Sequence, residues 1–138
     1  MKTESIEQSK YKSLTEASRE AAENAYCPYS SFYVGAAILT ESGKIFTGCN
    51  VENSSYGASI CAERTAAVKA VSAGERSFAA VAVYGRGENG EYPFCMPCGI
   101  CRQFLAEFGK GSIEIVVSDT KNIKIYTLKE LLPEAFSL

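Results

Sequence analysis

Two short stretches set the terms for the rest of the chain: Ser59-Ile60-Cys61-Ala62-Glu63-Arg64 and, later, Pro97-Cys98-Gly99-Ile100-Cys101. Each opens a segment patterned as a helix. The run from Cys61 is alanine-rich and stops at Gly74, and the run from Cys98 to Phe108 is closed by Gly109-Lys110-Gly111. Thiols at two helix starts, with a carboxylate and a guanidinium beside one of them, are the pattern of a zinc ion with a general acid or base next to it. A fold that uses this pattern has to bring the two helix starts together.

Cys98 and Cys101 are three residues apart, so on a helix they share a face and can grip one ion. Cys61 supplies a third ligand, and the fourth tetrahedral position is left open, as in catalytic zinc sites. Helix N-termini lower the cost of ionising thiols placed there. A second reading stays open, because Cys95-Met96-Pro97-Cys98 is also a C-x-x-C and a closed four-cysteine site would be structural. Pro97 suits a helix edge, which favours Cys98 with Cys101 and leaves Cys95 in the preceding loop. Cys27 and Cys49 read as small buried hydrophobes. The chain has six cysteines and no histidine, so every histidine ligand and every histidine-based mechanism is excluded.

In chain order, Ser5 to Tyr26 reads as an amphipathic helix with Ile6, Leu14, Ala17, Ala21, Ala22 and Ala25 on one face. It ends before Pro28. Phe32 to Thr40 and Lys44 to Cys49 form a hairpin around Glu41-Ser42-Gly43. The small residues Gly35-Ala36-Ala37 imply close approach by a helix or a ligand. Asn50 to Gly57 is a turn-rich loop, and Ser59 reads as the N-cap of the next helix. Phe78 to Tyr84 is a buried strand, Gly85 to Phe94 a surface loop, Ile113 to Val117 a strand, and Ile123 to Tyr126 its antiparallel return. Leu128 to Leu132 is a helical turn stopped by Pro133. The order α-β-β-α-β-α-β-β contains two strand–helix–strand crossovers, which imply parallel neighbours in a helix-covered sheet. Residues 1–138 read as one domain.

The formal charge of −2 and the scattered lysines and arginines argue against a nucleic-acid partner and for a small, weakly charged substrate. No apolar run approaches the roughly 18 residues that cross a bilayer, and Met1 to Ser5 leads into no signal-peptide core. A cytoplasmic protein without membrane association is expected, with thiols kept for metal or packing and not for disulfides.

Taken together, the motifs resemble the cytidine deaminase family in its small homotetrameric, three-cysteine form. The resemblance rests on Cys61-Ala62-Glu63 and Pro97-Cys98-Gly99-Ile100-Cys101-Arg102-Gln103. It extends through Tyr29-Ser30-Ser31-Phe32-Tyr33-Val34-Gly35-Ala36-Ala37, Gly48-Cys49-Asn50-Val51-Glu52-Asn53, and Glu130-Leu131-Leu132-Pro133-Glu134-Ala135-Phe136. It implies a three-layer α/β/α fold with a five-stranded mixed sheet, one zinc ion per subunit, and hydrolytic deamination of cytidine or deoxycytidine in pyrimidine salvage. Within it, Glu63 is the proton shuttle, against the plainer reading of a carboxylate capping a helix. Arg64 offsets the charge of the thiolates, and Gln103 supports the same shell. Asn50 and Glu52 take the ribose 3′-hydroxyl, the Ala62 amide takes the pyrimidine carbonyl, and Phe32 forms a pocket wall. Tyr56 and Phe136 are supplied by neighbouring subunits, Phe136 stacking on the base. Three other readings are a deaminase of nucleic-acid bases, one of nucleoside-like antibiotics, and a zinc-stabilised interaction module without catalysis.

Overall fold

Alternation along the central strands dictates the layering. In Ala80-Val81-Ala82-Val83 the valines and alanines point to opposite sides, and all four are buried. Both faces of the sheet must therefore be covered. The computed structural model describes residues 1–138, the side chain of Glu91 excepted. Its elements are β1 (Lys2–Ser5), α1 (Lys12–Ala22), β2 (Tyr33–Thr40), β3 (Ile45–Cys49), α2 (Ala62–Ser72), β4 (Phe78–Gly87), β5 (Gly90–Glu91), α3 (Gly99–Ala106), β6 (Glu114–Ser118), β7 (Asn122–Thr127) and α4 (Leu128–Leu131). The sheet order is β1-β7-β6-β4-β2-β3, with β5 paired to β4.

The valine face, with Ala36, Ile38, Ile115 and Val117, packs under α2 and α3 through Ala62, Ala66, Ala70 and Leu105. The alanine face, with Ala37 and Val116, packs under Tyr11 and Leu14 at the start of α1. The three-layer α/β/α arrangement is present, but the sheet is larger than five strands. The extra edge strand β1 is polar, Lys-Thr-Glu-Ser, and pairs with β7 from Lys2↔Ile125 to Ser5↔Asn122. An edge strand contributes mainly backbone hydrogen bonds, so its side chains carry no apolar signal.

That strand also shortens the first helix. Ile6–Gln8 is a 3₁₀ turn, and α1 begins only at Lys12. Leu14 and Ala22 of the expected face are buried and Ala17 packs partly against the core, while Thr15 and Ser18 complete the buried face in place of Ala21. The cause lies at Gly35, where a Cβ would stand 1.9 Å from the Ser18 carbonyl oxygen and 2.5 Å from the Ala22 nitrogen. Helix and strand backbones touch there, and only small residues fit between them.

The crossovers are half as expected. β4 and β6 are adjacent and parallel across α3. β3 and β4 are joined through α2 but are separated by β2, which runs antiparallel to both. The segment 85–94 is not wholly loop, since β4 continues to Gly87 and turns back through β5. Among the described residues, no helix is long and apolar enough to cross a membrane.

Candidate metal centre and substrate pocket

The two helix starts meet. Cys61 is the N-cap of α2 and Cys98 the N-cap of α3, both with extended backbone and neither making a side-chain capping bond. Ser59, expected as the cap, instead accepts a hydrogen bond from the Asn53 nitrogen at 3.1 Å. Placement of α2 depends on Gly48 in β3. A Cβ there would lie 2.4 Å from the Ala66 nitrogen and 2.8 Å from the Ala62 oxygen, so the helix lies directly on the strand. The incoming chain is fixed by paired bonds between Val51 and Ile60 at 3.0 and 2.9 Å. The same bridge sets Asn50 and Glu52 beside Cys61.

The Sγ atoms of Cys61, Cys98 and Cys101 lie within 4.8 Å of one another, with Cys61 and Cys98 at 3.9 Å. Tetrahedral zinc with sulfur ligands at about 2.3 Å places thiolates about 3.8 Å apart. The donor set and its spacing therefore fit zinc, and Cys95 stands outside the cluster. Three thiols this close do not ionise together. Hydrogen bonding from Cys101, joined by Arg64, holds Cys61 down to about 5 against the effect of burial. The hydrogen bond to Cys61 and burial push Cys101 far up. Burial pushes the Cys95 thiol up to about 12, as suits an inert packing residue.

Arg64 Nη2 donates to Cys61 Sγ at 3.7 Å. Glu63 is 3% exposed in the first turn of α2, and burial raises its carboxyl from 4.5 to about 7. A carboxyl poised there exchanges protons at neutral pH. It opens into a pocket of about 220 Å³ lined by Asn50, Glu52, Cys61, Ala62, Glu63 and Cys98, together with Val34, Ser59, Ile60, Cys95 and Met96. Hollows of about 620 Å³ beside α1 and about 410 Å³ beside α4 are larger, but neither holds a thiol of the cluster. Chemistry, not size, marks the site.

Asn50 Oδ1 accepts from the Val34 nitrogen and its Nδ2 donates to the Phe32 oxygen, both at 2.9 Å. Glu52 accepts from the Tyr29 and Ser30 backbone nitrogens at 3.0 and 3.1 Å and from the Ser30 hydroxyl. Burial works against them, but these bonds lower its carboxyl below the ordinary value. Phe32 is off the lining, its ring edge-on to Tyr92 at 5.4 Å. Tyr56 and Phe136 are 75% and 67% exposed and do not line the pocket of their own chain. Gln103 does not join the thiols. It is two residues past Cys101, on another side of α3, and its Nε2 donates to the Phe136 oxygen at 3.0 Å. The sequence reading missed Val34, Ile60 and Met96 as pocket walls. Strand alternation puts Val34 on the same side as Ala36 and offers a signal for it, but nothing local marks Met96.

The family description "cytidine and deoxycytidylate deaminase zinc-binding region" matches residues 8–117. A cytidine deaminase of Sporosarcina psychrophila is 51% identical over 121 residues, covering 87% of this chain and 86% of that protein. The crystal structure of a cytidine deaminase from Burkholderia pseudomallei superposes with a TM-score of 0.84 at 46% identity, covering 93% of this chain and 100% of that one. The corresponding enzyme structure from Mycobacterium tuberculosis gives 0.81 at 39% identity, covering 95% and 100%.

Proposed function

The chain belongs to the cytidine and deoxycytidylate deaminase family, and we propose that it hydrolyses cytidine and deoxycytidine to uridine and deoxyuridine with release of ammonia. The observation that carries this reading is the buried Glu63 carboxyl beside three thiols spaced for zinc, facing a pocket of about 220 Å³. Cys61, Cys98 and Cys101 would hold the ion, one per subunit. When bound, zinc supplies Lewis acidity that makes water a nucleophile at neutral pH.

Glu63 takes the proton released as water adds to C4 of the pyrimidine and passes it to N3. It then takes the proton of the new C4 hydroxyl and hands it to the 4-amino nitrogen, which leaves as ammonia as the C4 carbonyl forms. A carboxyl with its midpoint near neutrality suits both directions of transfer. Ala62 is the first helical residue of α2, so its N–H has no partner within the helix and can take the pyrimidine carbonyl. Glu52 and Asn50 hold the ribose 3′-hydroxyl. Ionised carboxylates offer about four acceptor positions, so Glu52 keeps capacity beyond the Tyr29–Ser30 loop. Arg64 draws charge from the Cys61 sulfur.

A homotetramer completes the site in this reading, with Tyr56 and Phe136 entering pockets of neighbouring subunits. Their exposure on a single chain supports this. Six unpaired thiols favour a reducing, cytoplasmic setting. Loss of cytidine absorbance on mixing with the zinc-loaded protein, with ammonia released in equal amount, tests the reaction. Zinc-loaded protein that leaves cytidine and deoxycytidine unchanged rules it out.

A further inference from the structure

The tail after α4 is gripped by its backbone while its aromatic side chain is left open. Arg102 Nη1 donates to the Leu131 oxygen at 2.8 Å, and Gln103 Nε2 to the Phe136 oxygen at 3.0 Å. Between them the chain bends at Glu134, whose φ is +57°. The Phe136 ring is nevertheless 67% exposed. A hollow of about 410 Å³ lies here, walled on one side by Ala106, Leu128 and Leu132 and on the other by the tail itself, Phe136 included. The two side-chain bonds fix the tail backbone at the rim of this hollow, with Phe136 still largely exposed.

Arg102 does a second thing with the same guanidinium. Its Nε donates to the Pro97 oxygen at 2.8 Å, directly before the ligand Cys98. A planar fork of donors is suited to joining two carbonyls in fixed relation. One side chain therefore ties the loop entering the thiol cluster to the root of the tail.

We propose that Arg102 and Gln103 are positioning residues that present Phe136 to the substrate pocket of a second copy of this chain. Arg102 also links that presentation to the Cys98 loop. The inference rests on the proposed role of Phe136 in a neighbour's pocket.

The test uses the zinc-loaded full chain and the variants Gln103→Ala, Arg102→Met, Phe136→Ala and the double variant Gln103→Ala with Phe136→Ala. Aromatic stacking on a base is a binding contact, so Gln103→Ala should raise KM for cytidine at least about fivefold while kcat stays within about twofold. In the Phe136→Ala background the same change should add nothing further. Arg102→Met should raise KM similarly and also speed zinc loss to a chelator, which Gln103→Ala should not. Active wild type with an unchanged KM in Gln103→Ala, or effects of Gln103→Ala and Phe136→Ala that multiply, would overturn this inference alone. Zinc-loaded wild type without activity would overturn the proposed function and this inference with it.

Discussion

Replacing Glu63 by glutamine tests the central chemical argument in two opposed directions. The carboxyl is 3% exposed and burial lifts it from 4.5 to about 7. In the unfolded chain it ionises at the ordinary value, so folding works against its charged form. The linked cost is absent below the unfolded value, grows as pH rises between the two values, and is complete above about 7. At 1.36 kcal/mol per unit the full cost is on the order of 3 kcal/mol. Metal-free Glu63→Gln should therefore match metal-free wild type near pH 4 and exceed it by an amount on the order of 3 kcal/mol near pH 8, with relief of the repulsion between Glu63 and the neighbouring Cys61 thiolate adding to the relief of burial. Denaturant unfolding under reducing conditions across that range measures the difference. With zinc restored, the variant should hold the ion but lose about a hundred- to ten-thousandfold in kcat, the usual contribution of a positioned acid–base group. Metal analysis and the cytidine absorbance assay read both. A variant that binds zinc and keeps kcat within about tenfold would refute the proton-transfer role. A stability difference that does not change with pH would refute the burial argument.

Further predictions concern the neighbours of Glu63. Alanine at Cys61, Cys98 or Cys101 should each lower zinc content measured by metal analysis, whereas Cys95→Ala should leave it at one per chain. Zinc loss in the Cys95 variant would instead favour a closed four-thiol site. Arg64→Gln should retain the fold and cost about 10- to 100-fold in turnover or metal affinity, as expected when a group supporting the ligands is lost. Unchanged kinetics and chelator resistance would remove it from the mechanism. Gly48→Ala forces α2 away from β3, because its Cβ would meet the Ala66 nitrogen at 2.4 Å. It should cost on the order of 2 kcal/mol in denaturant stability and weaken zinc retention, and an unaltered midpoint would contradict the contact.

The site was more legible in the sequence than the sheet was, for a physical reason. Metal ligation restricts residue type and spacing so sharply that Cys61, Cys98 and Cys101 stand out without any knowledge of the fold. Strand β1 escaped because Lys2-Thr3-Glu4-Ser5 pairs through its backbone at an edge, where side chains carry no pattern. The first helix was read too long because Ile6 and Leu14 both enter the core, yet from different elements. The contact of α1 with Gly35 is foreshadowed by the small residues there and by Ala22 on the expected helical face, whereas Ser18, the other residue at the contact, carries no apolar signal. Local spacing suggested Ser59 as a cap. The structure gives that position to Cys61, and the true capping box lies at Thr127 and Glu130.

That displaced cap bears on how the site works. Ser, Thr, Asp or Asn at an N-cap stabilises a helix by about 1 kcal/mol relative to alanine, yet α2 and α3 both begin with cysteines that make no capping bond. At both helix starts a thiol-bearing residue takes the cap position, so the first-turn N–H groups have no side-chain cap and the positive end of each helix lies at the cysteine. Three thiolates around a doubly charged ion carry a net single negative charge, which by itself would blunt the ion's pull on electrons. Each helix start offers roughly half a positive charge, and the Arg64 guanidinium offers a whole one at 3.7 Å from Cys61. In a chain without histidine, no neutral imidazole can replace a thiolate to lower that charge. The missing caps, the close contact at Gly48 and the arginine after Glu63 are thus parts of one solution. They deliver a sulfur-only site whose excess charge is offset by the scaffold, with the buried Glu63 carboxyl beside it for the proton transfers we propose.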